Sequence, residues 1–124
     1  MNVLLQALDN YAAKQPDKIA IICNGREFSY AELWQDAMTL ATHLTTYRQK
    51  TLAILYPNCY EFVCLYLASF MVEAIIVPIN YRLTPPEIQS RLKHSEATLM
   101  LLHEDRSDEM QNLYSWYICN KYDR

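Results

Sequence analysis

Between residues 62 and 79 the chain runs for eighteen residues with Glu73 as the only charge. A stretch of that length and polarity has two physical outcomes. It crosses a bilayer as one helix of about 20 residues, or it divides into elements buried inside a globular protein. Two features decide between them. Ile75-Ile76-Val77 is a β-branched run, and Pro78 stands near the end, where it would interrupt a helix. The stretch therefore reads as a buried helix over residues 59–72, apolar nearly all round, followed by a buried strand over 74–78. Asn58 is placed to cap that helix.

The same punctuation organises the rest of the chain. Leu4, Leu8, Tyr11 and Ala12 follow helical spacing, and Pro16 closes the segment. Residues 18–23 form an apolar strand and 26–28 a second one. The Asn24-Gly25 pair between them suits a two-residue turn with both φ angles positive. Ser29-Tyr30-Ala31-Glu32 is a capping box, after which Leu33, Ala37, Leu40, Ala41 and Leu44 line one helix face, with Trp34 and Met38 beside them. Residues 51–56 are an apolar strand. Thr84-Pro85-Pro86-Glu87 is a second capping box with proline at the first helical position, and Ile88 and Leu92 give its helix a buried stripe. Arg91, Lys93 and His94 fall where a helix C-terminus favours positive charge. Residues 98–102 are a last strand. Strands alternating with helices imply right-handed βαβ units. The expected fold is α/β, a mainly parallel sheet flanked by helices and preceded by a short hairpin. It occupies residues 1–105. In the tail, 106–124, Met110, Leu113, Tyr114, Tyr117 and Ile118 hold the spacing of a short amphipathic helix.

Composition limits the chemistry. Gly25 is the only glycine, and phosphate-cradling loops need several so that backbone N–H groups can approach the anion. The cysteines at 23, 59, 64 and 119 form no Cys-x-x-Cys pair, and His43, His94 and His103 are scattered, so no metal site is expected. Reduced thiols packed as small hydrophobes are expected instead. A formal charge of −3 with no basic run argues against a nucleic-acid partner. The first residues lack the basic start of a signal peptide, and a cytoplasmic location is expected with no transmembrane segment.

Four pieces of the sequence, in order, resemble one family. They are Pro16-Asp17-Lys18-Ile19-Ala20; Phe28-Ser29-Tyr30-Ala31-Glu32-Leu33; Leu55-Tyr56-Pro57-Asn58 with Glu61-Phe62; and Ile76-Val77-Pro78-Ile79-Asn80-Tyr81-Arg82-Leu83-Thr84 with Glu87-Ile88. Over about residues 5–105 they resemble the N-terminal part of the adenylate-forming acyl-CoA synthetases. The resemblance implies a partial copy of that N-terminal domain. It also implies a parent activity in which ATP converts a carboxylic acid to an acyl-adenylate and coenzyme A takes the acyl group. ATP, Mg and coenzyme A are thus implied for the full-length family. The family's Ser/Thr/Gly-rich phosphate loop and its later nucleotide-binding motifs lie beyond the matched region, so none of these is expected to bind this chain alone. Two places depart from the family pattern. The loop after Leu44 is a short Tyr47-Arg48-Gln49-Lys50, and Glu73 stands where the family ends a helix with glycine. The tail after Asp105 carries no recognised family motif.

No catalytic set is defensible from residue order. Glu61 reads as a helix-start carboxylate. Asn80 and Arg82 are the functional candidates, with Arg82 as a phosphate contact, because guanidinium offers a fixed fork for phosphate oxygens. The ten tyrosines read as packing. Three functions compete. The chain is a truncated synthetase inactive by itself, an interaction module that binds a protein through a sheet edge, or half of a split ligase whose complementary chain carries the nucleotide site. Self-association through uncovered apolar surface is a further expectation.

Overall fold

A computed structural model describes residues 2–103 and 105, together with the strand at 118–119. They form two compact units. The first unit comprises residues 1–48 and 59–73. It contains helix α1 (Val3–Lys14), the hairpin β1 (Ile19–Cys23) and β2 (Arg26–Ser29), helix α2 (Tyr30–Thr42), a 3-10 turn at Thr45–Tyr47, and helix α3 (Tyr60–Met71). The second comprises residues 49–58 and the described residues from 74 onward. It contains β3 (Thr51–Leu55), β4 (Ile75–Pro78), helix α4 (Pro85–Ser95), β5 (Leu99–Leu102) and the two-residue β6 (Ile118–Cys119).

Local signals fix most of the first unit. The hairpin turns on Asn24 (φ 52°) and Gly25 (φ 78°), as the pair predicts. The Ser29 hydroxyl accepts the Glu32 N–H at 3.1 Å while the Glu32 carboxylate accepts the Ser29 N–H at 3.1 Å, closing the capping box of α2. Helix α2 packs on both α1 and α3. Leu33, Ala37 and Leu40 are its buried residues. In α1 the buried pair is Leu5 and Leu8, whereas Leu4 is 52% exposed. Of the expected stripe only Leu8 is fully buried, since Tyr11 is 41% exposed as well; Leu4 and Leu5 are equally apolar, and spacing alone does not choose between them. Helix α3 is capped by Cys59 rather than Asn58, and the Cys59 side chain makes no capping bond. The expected Asn cap gives way because the backbone turns helical one residue later. Buried Ser69 donates its hydroxyl to the Leu65 carbonyl at 2.7 Å, so an almost wholly apolar helix carries no unsatisfied polar group there.

The second unit is the expected parallel sheet, in the order β4-β3-β5-β6. Ala53, Leu55, Met100 and Leu102 point to one face, where Ile88 and Leu92 of α4 complete a core. The intervening Leu52, Ile54, Leu99 and Leu101 are buried too, which accounts for strands that read as continuous apolar runs. The edge strand explains its own proline. The Ile75 N–H donates to the Lys50 carbonyl and the Ile79 N–H to the Ile54 carbonyl, each at 2.9 Å. With a period of two, Ile76 and Pro78 turn their backbone groups away from β3. Pro78 therefore lacks an N–H only where no ladder bond is due. Helix α4 ends at Glu96, held left-handed at φ 56°. Its capping box is present as predicted.

In the tail, Met110, Leu113, Tyr114 and Tyr117 lie outside the described residues, and the expected amphipathic helix with them. Ile118 is an exception. It pairs with Leu101 in a parallel ladder and so belongs to a strand, not to a helix. A β-branched residue beside an open sheet edge gains ladder bonds that helical spacing does not reveal. Among the described residues no helix is long and apolar enough to cross a membrane.

Candidate functional site

The turn after β4 is built by Asn80. Its side-chain oxygen accepts the Arg82 N–H at 3.0 Å, and its carbonyl accepts the Leu83 N–H at 3.2 Å. Asparagine thereby locks the chain into a tight reversal that ends at the α4 cap. Arg82 stands exposed on this turn. Thr84 and Glu87 close the reversal. The Glu87 carboxylate takes the Thr84 hydroxyl at 2.8 Å and the Thr84 N–H at 3.2 Å. These bonds, helped by the nearby Arg91 charge, hold the Glu87 carboxyl below its ordinary range.

An open hollow of about 290 Å³ lies beside this turn, lined by Pro78, Ile79, Asn80, Leu83 and Arg91. Asn80 and Arg91 are its polar lining residues. Arg82 is not among its lining residues. Sequence reasoning singled out Asn80 but took Arg91 only as a charge near a helix end. The signal for Arg91 was its place one turn after Glu87, on the side of α4 that the preceding turn approaches.

A second group of polar side chains gathers at the carboxyl ends of β3 and β5. The chain leaves β3 toward β4 on one side and returns to β5 on the other. In open parallel sheets such a reversal marks the crevice where ligands bind. The His103 N–H donates to the Leu55 carbonyl at 3.0 Å and sets the histidine there. Its ring meets the edge of Tyr56 at 5.5 Å and that of Tyr81 at 6.5 Å between centroids. Its Nδ1 accepts the Asp105 N–H at 3.2 Å and lies 3.3 Å from the Asp105 carboxylate. Residue spacing carries no sign of this cluster, because strand order assembles it. Glu61 is elsewhere. It sits half-buried in the first turn of α3, in the other unit, where a carboxylate complements the helix dipole.

The one glycine is spent on the hairpin turn, so among the described residues no glycine-rich loop stands at the strand ends to cradle a triphosphate. Among the described residues there is also no group of three side chains able to hold a metal ion.

Comparison with known proteins decides the ancestry. The AMP-binding enzyme family matches residues 8–117, nearly the whole chain. The chain belongs to the AMP-binding enzyme family. The match runs past Asp105, into residues that carried no recognised family motif above. Among curated relatives, the 3-oxocholest-4-en-26-oate–CoA ligase of Rhodococcus rhodochrous is 32% identical over 102 residues, which cover 79% of this chain and 18% of that protein. The 2-succinylbenzoate–CoA ligase of Bacillus licheniformis is 30% identical over 105 residues, covering 82% and 22%. The fold agrees as well. The o-succinylbenzoate CoA synthetase of Bacillus subtilis, solved with its acyl-adenylate intermediate, superposes with a TM-score of 0.79 at 24% identity, over 90% of this chain and 30% of that one. Coronafacic acid ligase from Pectobacterium brasiliense gives 0.82 at 21% identity, over 91% and 23%. This member of the AMP-binding family thus spans about a fifth of the length of the curated relatives it matches.

Proposed function

We propose that these 124 residues are the N-terminal scaffold of an acid–CoA ligase and do not activate a carboxylate by themselves. The observation that carries the reading is the contrast in coverage. The family match takes in residues 8–117, yet the same stretch is only 18% of one ligase and 22% of another. In such a ligase a carboxylate oxygen attacks the α-phosphorus of ATP, pyrophosphate leaves, and the coenzyme A thiol then displaces AMP. Each step needs a preorganised phosphate site. In this reading that site comes from what the relatives carry beyond the match, in the same polypeptide or in a complementary chain. Arg82, exposed on its turn, is the group proposed to reach a phosphate in that assembly. The working compartment is proposed to be the cytoplasm.

The test is carboxylate-dependent exchange of pyrophosphate into ATP by the 124-residue chain. No exchange is expected, and no rise in melting temperature with millimolar ATP-Mg, since a ligand stabilises only what it binds. Exchange above background, or a clear thermal shift, would sink the reading. If a complementary chain carrying the nucleotide site exists, adding it restores exchange, and Arg82→Gln lowers the restored rate.

A further inference from the structure

We propose that Asn24 is a self-modification site, whose side chain closes on the Gly25 nitrogen and converts to aspartate or isoaspartate, marking the age of the chain at the tip of its hairpin. Asparagine is among the thermolabile residues, and here both reacting groups belong to adjacent residues. The Gly25 backbone nitrogen attacks Cγ of Asn24 and closes a five-membered succinimide ring. The Cγ–Nδ2 bond breaks, and Nδ2 leaves as ammonia with the hydrogen that the Gly25 nitrogen gives up. Water then opens the ring, its hydroxyl going to one carbonyl carbon and its hydrogen to the nitrogen. Opening at Cγ leaves aspartate. Opening at the main-chain carbonyl leaves isoaspartate, whose backbone runs through the side-chain carbons and is longer by one atom.

Three observations single out this site. First, its reacting groups are uncommitted. Among the described residues no hydrogen bond engages the Asn24 side chain or the Gly25 N–H. By contrast, the side-chain oxygens of Asn2 and Asn80 accept the N–H groups of Leu5 and Arg82, and Asn10 lies inside α1, where the next N–H belongs to the helix ladder. Second, the nitrogen is accessible. Asn24 and Gly25 are both exposed, and nothing lies within 4 Å of the place where a Gly25 Cβ would stand. Asn58 is exposed too, but the side chain of Cys59 crowds the nitrogen that follows it. Third, the turn is tied to the core. It sets Cys23 opposite Arg26 and Ile21 opposite Phe28, and Phe28, 3% exposed, stacks on Tyr60. Aspartate suits the same left-handed turn position. Isoaspartate does not close a two-residue turn, so it strains the register that holds Phe28 in place.

The experiment is timed incubation of the folded full chain in mildly alkaline buffer, followed by trypsin and mass spectrometry. The peptide Ile19–Arg26 carries Asn24 as its only side-chain amide, and Thr51–Arg82 carries Asn58 and Asn80 as internal controls. The first peptide should gain the mass of an amide-to-acid change several times faster than the second. Part of its product should accept methyl groups from an isoaspartyl methyltransferase. Asn24→Gln, which needs a larger ring, should leave the peptide unconverted, and Gly25→Ala should slow it severalfold. The isoaspartate form, separated by ion exchange, should melt below the fresh chain, whereas Asn24→Asp should melt with it. The proposal falls if Ile19–Arg26 converts no faster than Thr51–Arg82, or if it converts only in chain unfolded by urea. It falls equally if no isoaspartate forms, if Gly25→Ala converts as fast, or if the isoaspartate form melts with the fresh chain.

Discussion

Arg48 grips Glu73 through two guanidinium nitrogens, Nε at 3.1 Å and Nη2 at 2.8 Å, both on the same carboxylate oxygen. These residues stand at the two places, the loop after Leu44 and the helix end, where a departure from the resembled family was expected. Glu73 is left-handed at φ 62°, a conformation that glycine adopts without strain. The ion pair ties the two places together.

The balance between strain and pairing is measurable. A non-glycine residue in the left-handed region costs about 1 kcal/mol. An exposed ion pair returns about 0–1 kcal/mol, and these side chains are 63% and 64% exposed. Glu73→Gly should therefore raise the melting temperature by a few degrees, more clearly in high salt where the pair is screened. Glu73→Ala keeps the strain, loses the pair and should lower it slightly. A fall for Glu73→Gly at high salt would contradict the strain argument.

The Tyr60 hydroxyl donates to Asp36 at 2.6 Å, and its ring, 2% exposed, stacks on Phe28. Tyr60→Phe keeps the stack and removes the bond. Hydrogen bonds to charged groups are worth about 1.5–3 kcal/mol, and a loss of that order is expected in urea denaturation. Burial, then the Asp36 bond, raise the phenol above its ordinary value near 10. The folded chain holds that proton more tightly than the unfolded chain does. The resulting stability is whole below pH 10 and declines as pH rises above it. Tyr60→Phe should flatten that alkaline decline.

Cys59 offers a gain. Its backbone has the extended geometry of an N-cap, but its thiol caps nothing. Cys59→Ser should stabilise α3 by about 0.5–2 kcal/mol, and Asn58→Ala should do little. Burial above all pushes the thiol up to about 11 from 9.0. Its contribution is therefore complete below pH 9 and is lost between pH 9 and about 11. Alkylation of Cys59 at pH 8 should be slow, and Cys59→Ser should remove the part of the alkaline decline that begins at pH 9. Rapid alkylation at pH 8 would count against the burial argument.

The cap of α4 should open in acid. The Glu87 carboxyl is lowered from 4.5 chiefly by its bonds to Thr84. Its stabilising effect is present above pH 4.5 and disappears as pH falls through the lowered value. Thr84→Ala should cost about 1 kcal/mol at neutral pH and erase this acid-side loss. An unchanged acid limb in that variant would show that Glu87 titrates without Thr84.

What the sequence reveals and what it hides divides along one physical line. Asn24-Gly25, Ser29 with Glu32 and Thr84 with Glu87 are legible because each acts within four residues. Glu73 is legible as a helix end because glycine was missing from its place. Leu4 against Leu5 is an error of one residue between identical side chains, and Asn58 against Cys59 is one in which the stronger capping side chain sits just outside the helix start. The Tyr56–His103 contact is illegible because it depends on the order of strands. His103 joins Tyr56 only after α4 has carried the chain back across β3.

The outward-facing proline of β4 also governs growth. A strand added to that edge would find one outward N–H, from Ile76, and none from Pro78. It could neither extend its register past that point nor template a further strand in the same way. Edge-to-edge addition at β4 is therefore interrupted by a single imino acid, although Ile75 nearby is 55% exposed.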